Sequence, residues 1–463
     1  MGTQPRRVAV IGSGAAGMSA AHTLATSAQS LAGDLQVVLI EADDRLGGKL
    51  FTSPFAGHAA IDEGPDAFLA RLPWGTALAK AVGLGDELVA PTAGKAAVWW
   101  DALHPIPEGL LLGMPTDVLA LARSRLLTWG GKLRAATEPF RPRTSLADDS
   151  LGGYVRTRFG DQVHLRLVDP LVGSIYAADT DHFSLSAVPQ IYDLASKARS
   201  ILIAGRKMPK PAANAGPVFY APKGGMGSLV QATADVALAH GAELRTGTPV
   251  AAIEPGPDGQ GWLVDGEAFD AVVLACPAKA AARLLAGVAP ASAATIGQVP
   301  AADVAMVSIA VPRAHWPQQL VGMSGYLVPK PMQRLVTAAS FGSQKWSHWQ
   351  VDDLVLLRIS LGRDGLPVLH LSDEQLLAAA VDEVGHHIGL TIQPVHARVS
   401  RWVGAFPQYR PHHAQRVAKA EGGLPFGLAL AGASYHGIGV PACIRSGKEA
   451  ASRLTALLFP VAE

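Results

Sequence analysis

Six residues, Gly12, Gly14, Gly17, Glu41, Arg45 and Lys49, have the types and spacing needed to hold a dinucleotide. Gly12-Ser13-Gly14-Ala15-Ala16-Gly17 is a GxGxxG. Gly12 permits a tight turn, Gly14 lets backbone approach a pyrophosphate, and Gly17 lets a helix pack closely on a strand. A helix starting there presents free N–H groups and a partial positive charge to phosphates. Glu41 is spaced to accept hydrogen bonds from a ribose diol. An acid there favours a free 2′-hydroxyl, so FAD or NAD over NADP.

A lone GxGxxG is weak, because glycine turns also occur without a ligand. Here the elements around it are the required ones. Residues 8–11 are an apolar run of the kind found in buried parallel strands. Small residues from Met18 to about Ala28 read as a helix, and residues 36–40 as a second buried strand ending on Glu41. The continuation Glu41-Ala42-Asp43-Asp44-Arg45-Leu46-Gly47-Gly48-Lys49 fits E-x3-R-x-G-G-[RK], a pattern of FAD-binding flavoproteins of the amine-oxidase type. Gly47 and Gly48 let main chain pass close to phosphates or ring, while Arg45 and Lys49 supply positive charge. The combination selects FAD.

The chain's 463 residues, 49% hydrophobic and 17% charged, are enough for two or three packed domains. A net charge of +1 argues against a nucleic-acid protein, which needs a basic excess. Cys276 and Cys443 form neither a disulfide framework nor a metal spacing, and they suit a reducing cytoplasm. Cys276 reads as buried and structural. The fifteen histidines show no ligand cluster, so no metal is expected. Residues 1–7 lead straight into the first strand, so no signal peptide is expected. Mean hydropathy is +0.22, yet the most apolar long stretch, 110–129, contains Pro115, Asp117, Arg123 and Arg125. No span is expected from it; a peripheral membrane contact stays open.

Taken in order, Gly64-Pro65-Asp66 forms a loop able to bring backbone beside an isoalloxazine, or only a surface turn. Arg71 follows soon after, a cation placed for an anionic substrate. Residues 74–83 read as a helix, and 96–107 as a short hairpin. From 110 to about 200 apolar residues recur at helical spacing between Pro115, Pro139, Pro142 and Pro170, a helical insertion that includes Tyr176. Lys197, Arg199, Arg206, Lys207 and Lys210 form either a solvated face or an electrostatic rim. A second glycine turn, 223–228, opens a helix over 229–240. Strands at 243–245, 249–253, 261–264 and 270–275 return the chain to the nucleotide sheet, with the Val250 backbone reaching the adenine. A β-rich block over 300–400 carries strands and one helix, 372–388; Trp346, His348 and Trp349 offer either a pocket wall or packing. Trp402 is placed to pack along the flavin. Finally, residues 428–434 read as a strand running into Gly432 and Ala433. Ile438-Gly439-Val440-Pro441 then opens a helix over 442–458, with Pro441 in a first turn where its missing N–H costs nothing. Its positive end would face the flavin N1–C2=O edge and stabilise negative charge there.

These motifs, with 169–179 and 432–441 the most specific, resemble the FAD-dependent protoporphyrinogen/coproporphyrinogen oxidases of haem biosynthesis, in the amine-oxidase superfamily. The Ala/Arg/Gly-rich style is similar to actinobacterial members, thought to act on coproporphyrinogen III. The resemblance implies a mixed α/β fold: a discontinuous Rossmann-like FAD domain of the amine-oxidase/glutathione-reductase type (1–88, 215–290, 400–463), a β-sheet substrate domain (89–109, 300–399) and a helical insertion (110–214) that contacts membranes in some relatives.

It further implies dehydrogenation of a porphyrinogen, hydride passing to the flavin and O2 reoxidising it to give H2O2. Arg71 and the Lys197–Lys210 stretch are then candidates for substrate carboxylates, and Tyr176 for the pocket lining. Lys49 stands where many relatives have arginine, keeping the charge but losing the bidentate fork. A transient ferrochelatase contact and a cytoplasmic location, peripheral at the inner membrane face or free of it, complete the implied picture. The rival readings are the same fold acting on protoporphyrinogen IX, a flavin amine oxidase or carotenoid desaturase, and a non-catalytic flavoprotein scaffold.

Overall fold

A computed structural model describes residues 4–146, 150–208 and 216–460. Its nucleotide half is a five-stranded parallel sheet in the order Glu243–Arg245, Leu35–Ile40, Arg6–Ile11, Ala271–Leu274, Leu428–Leu430. Alternation along the first strand explains the layering: Val8 and Val10 face one apolar cluster, Ala9 and Ile11 the other. The first cluster is covered by helices Ala15–Ala25, Met226–Ala239 and Val440–Leu458.

Several local expectations shift. The first helix starts at Ala15, immediately after the glycine turn, and ends at Ala25. Residues 249–252 pair with no strand. The strand begins at Ile253 and, with Trp262–Val264 and Glu267–Phe269, makes a separate antiparallel sheet rather than joining the nucleotide sheet. Asp265 explains the gap: its carboxylate accepts from the amides of Ala251 and Ala252, which therefore cannot ladder. The second glycine turn opens the helix Met226–Ala239, but the protein caps that end itself. Met226 N donates to Asp62 at 2.8 Å and Gly227 N to Thr52 at 2.8 Å.

The second sheet has seven strands, ordered His396–Pro407, Ala301–Pro312, Leu354–Leu361, Val336–Ser340, Met323–Leu327, Lys95–Trp99, Leu103–Pro105. It extends to Pro407, past the expected boundary at 400. Helix Asp373–Ile388, opened by a Ser372/Gln375 capping box, covers one face. Trp346 and Trp349 are fully buried and serve as packing, not as a pocket wall.

The helical module gathers around Leu151, Val155, Phe159, Leu167 and Phe183. Its backbone winds as a π-helix over His164–Gly173, with Pro170 inside. Pro170 has no N–H for an ordinary helical bond, and a wider turn accommodates that loss. A fully buried Glu138 binds Arg158 and also accepts Ser200 Oγ at 2.6 Å and the amides of Ile201 and Leu202. One carboxylate thus neutralises a buried cation and caps the helix Ile201–Lys207. Because removing one member strands the other, Glu138→Ala should cost about 3–5 kcal/mol. The paired change to methionine at both positions should cost much less. Urea unfolding of the variants checks this; a single-variant loss equal to the double would sink it.

Candidate functional site

The glycine turn is shaped by close approach. A Cβ on Gly17 would sit 1.7 Å from Gly12 O, and Gly12 itself has φ +99° against Ala275 O. Gly14 faces open space, and a Cβ on Gly48 would lie 3.4 Å from its Cα, so bare backbone lines both sides of a slot. The helix at Ala15 has no side-chain cap, and Met18 N makes its first internal bond, to Gly14 O at 2.9 Å. The preceding amides are free for an anion.

Glu41 is buried and held: Ser13 donates from N at 2.7 Å and Oγ at 2.5 Å to one oxygen, and Asp43 N donates to the other at 3.0 Å. Gly47 N reaches Ser13 Oγ at 3.1 Å, so both motif segments share one network with Ala42 exposed at its rim. Thr248 N donates to Glu41 O at 2.8 Å, which lays the chain leading to buried Val250 beside the acid. Val250's amide bonds no group among the described residues. Arg45 lies over Phe51 at 4.1 Å with Nη1 buried and unpaired. Lys49 meets no carboxylate among the described residues, and burial lowers its pKa. An unsatisfied guanidinium nitrogen, a desolvated ammonium and a bare glycine slot are what a diphosphate would satisfy, so these residues fit FAD.

The Gly64-Pro65-Asp66 loop is clamped from the second sheet. A Cβ on Gly64 would lie 2.1 Å from Lys49 O. Arg358 donates to Gly64 O, and Trp402 donates from Nε1 to Glu63 O at 3.0 Å with its ring edge against Gly64. Glu63 accepts Ser53 Oγ and Ser400 Oγ, both at 2.6 Å. Asp66 accepts Lys345 Nζ at 2.8 Å and Trp346 Nε1 at 3.0 Å; despite burial, these partners and Arg358 hold its carboxyl well below the usual range. Pro65 is exposed. Asp66 thus serves the clamp with its side chain, leaving only backbone for a ring. Arg358 was missed, although a lone arginine in the apolar run LVLLRISL was a legible signal.

At the last turn Gly432 has φ +116° and donates to Ser446 Oγ at 3.0 Å. Ala433 O accepts the Tyr409 hydroxyl at 2.6 Å. Ile438 and Gly439 lead into Val440–Leu458, whose N-cap Gly439 carries no side-chain cap and whose first turn holds Pro441. A Cβ on Gly447 would lie 1.9 Å from Ala16 O. That closeness lets this helix cross the Ala15–Ala25 helix, uniting the two motif helices, and sequence reasoning overlooked it. Cys276 is partly buried, and burial pushes its thiol up to about 12, so it is no nucleophile.

On the substrate side, burial raises the Tyr176 hydroxyl and the charge of exposed Arg71 opposes that rise. Lys197, Arg199, Arg206 and Lys207 are exposed on the helical module, Arg199 bonded to Pro139 O at 2.9 Å. Lys210 lies outside the described residues. Among the described residues no group of three metal ligands forms.

Fold and site together define a flavoprotein with a two-helix dinucleotide cradle roofed by a second sheet. The family model for flavin containing amine oxidoreductase matches residues 15–455, and the chain belongs to that family, with FAD as its cofactor. It is similar to coproporphyrinogen III oxidase of Mycobacterium tuberculosis, 35% identical with 99% of each chain covered. It is also similar to coproporphyrinogen III oxidase of Bacillus subtilis, 30% identical over 98% of this chain and 99% of the other. A crystal structure provisionally named a protoporphyrinogen oxidase, from Exiguobacterium sp. 255-15, superposes with TM-score 0.85 at 30% identity, covering 98% of this chain and 99% of that one.

Burial lowers His348, His387 and His413 to about 4. A depressed histidine binds its proton in the unfolded chain first, so stability is full above about 6.5 and falls as pH drops toward 4. Asp62 opposes this: burial raises it to about 6, so the native state keeps a proton the unfolded chain has released. Melting temperature should therefore fall between pH 6.5 and 4.5, and fall more steeply in Asp62→Asn. A profile flat in both proteins would contradict these environments.

Proposed function

We propose that this enzyme dehydrogenates coproporphyrinogen III to coproporphyrin III in haem biosynthesis. FAD held there would supply the hydride acceptor and the route of the electrons to O2, with one H2O2 formed per two-electron step. The rest falls to the chain. Residues 61–66 and the Val440–Leu458 N-terminus would hold the ring from two sides, the helix end favouring negative charge. Arg71 would bind a propionate while Tyr176, kept neutral by burial, orients the macrocycle.

The observation that carries this reading is full-length similarity to enzymes of that name, supported by a cation, Arg71, whose charge acts on the Tyr176 hydroxyl. The second reading, protoporphyrinogen IX on the same site, is favoured by the name of the Exiguobacterium relative. Anaerobic mixing with each porphyrinogen decides between them: the expected result is faster flavin bleaching with coproporphyrinogen III, then porphyrin fluorescence and peroxide in air. Arg71→Gln should raise KM for it about tenfold, roughly the 1.4 kcal/mol of one charge-assisted hydrogen bond. No bleaching of fully loaded FAD by either substrate would end the assignment.

Support for a peripheral membrane location comes from the helical module, where Trp129, Leu133 and Phe140 are 74%, 68% and 86% exposed and Lys132 lies 4.6 Å over Trp129. Arg123 and Arg125 are exposed nearby, and no described helix is long and apolar enough to cross a membrane. Apolar side chains ringed by cations suit an anionic lipid surface. The protein should sediment with anionic vesicles but not neutral ones, and Trp129→Ser with Leu133→Ser should weaken this about tenfold. Indifference to both vesicles would leave that face to a protein such as ferrochelatase.

A further inference from the structure

Gln408 and Tyr409 take no part in the reading above, yet they are only 1% and 5% exposed and touch both sides of the site. Gln408 Nε2 points at three carbonyls: Phe406 at 3.0 Å, Tyr176 at 3.2 Å and Ala177 at 3.3 Å. Ala177 is a non-glycine residue at φ +45°, and its carbonyl also accepts Asp364 N at 2.9 Å. Arg410 grips Asp364 with bonds of 2.7 and 3.0 Å. The residues flanking Tyr409 therefore over-determine a strained corner next to Tyr176.

Tyr409 reaches the other way. Its hydroxyl donates to Ala433 O at 2.6 Å and accepts from Gly437 N at 2.8 Å, spanning the turn that precedes Val440–Leu458. Its ring stacks on His413 at 3.8 Å and lies parallel to Phe183 at 6.2 Å, and Phe183 in turn meets Tyr176 at 5.0 Å. Ser184 N donates to Tyr409 O at 2.7 Å.

We propose that Gln408 and Tyr409 are positioning residues forming a strut between the Tyr176 corner and the flavin-facing turn. Through it the Tyr409 hydroxyl holds the positive helix end in register with the ring, and a porphyrin seated against Tyr176 retunes the flavin. The first half rests on Gly432, Ala433 and residues 438–440 facing the flavin; the second also rests on the porphyrinogen reading. Without the hydroxyl, Gly437 N–H and Ala433 C=O lose their shared partner, the turn relaxes, and reduced FAD loses stabilisation relative to oxidised FAD.

The test is the flavin midpoint potential of the holoenzyme, measured spectroscopically against a redox dye. Tyr409→Phe keeps the stacked ring and should bind reduced FAD about tenfold less favourably relative to oxidised FAD, a fall of about 30 mV for a two-electron couple. Tyr435→Phe is the control from the same turn: its hydroxyl is buried without a partner, so the potential should not move. An unchanged potential in Tyr409→Phe, or equal shifts in both variants, overturns the strut. If Tyr409→Phe does not hold FAD, Gln408→Leu carries the test. Added coproporphyrin should then no longer shift the potential as it does in the parent; a shift of parental size overturns the proposal. Because the first arm contains no porphyrin, its outcome is independent of whether porphyrinogen is the substrate.

Discussion

Everything at the site depends on how residues 61–66 are pinned between two sheets that share no strand. Gly64 sits so close to Lys49 O that only hydrogen fits. From the other side, Arg358, Ser400 and Trp402 bond the same loop through its carbonyls and the Glu63 carboxylate. Backbone carbonyls and a buried carboxylate need partners wherever water is excluded. Satisfying them from the second sheet fixes that sheet's position over the dinucleotide cradle.

The same need explains the charges around the loop. Asp66 is shared among Lys345, Trp346 and Arg358, and Glu63 among two serines and Arg398. Such groups contribute geometry more than net stability, because desolvation consumes much of the Coulomb gain. Lys49 and Arg45, both in the diphosphate cradle, meet no acid among the described residues. In that cradle the unanswered charge is what a diphosphate would meet.

The nucleotide half was legible because its signals are local. The glycine turn, Glu41 and the E-x3-R-x-G-G-K run lie within one βαβ unit, where chain spacing nearly dictates geometry. The separate sheet of residues 253–269 was misplaced because alternation marks a strand without naming its partner. Gly64 was noticed but its clamp was not, since Arg358 is 294 residues away. Tyr409 was invisible for a related reason: a tyrosine between glutamine and arginine gives no hint that its hydroxyl bridges two backbone groups. The basic residues 197–207 show the reverse, a conspicuous pattern with no contact to Arg71 or Tyr176 among the bonds that hold the site.

The close crossing at Gly447 has a consequence for how the protein comes into being. Ser19 Oγ donates to Ile444 O at 2.8 Å across 425 residues, and Ala16 O lies where a Gly447 Cβ would stand. The two halves of the cradle are therefore 425 residues apart in the chain, and the first waits on the ribosome for the second. A nascent chain stalled before residue 440 can bury much of its core but has no second helix to close on the flavin. The cradle that would grip FAD is therefore complete only once residues 440–458 have been made, whatever else of the fold has formed before them.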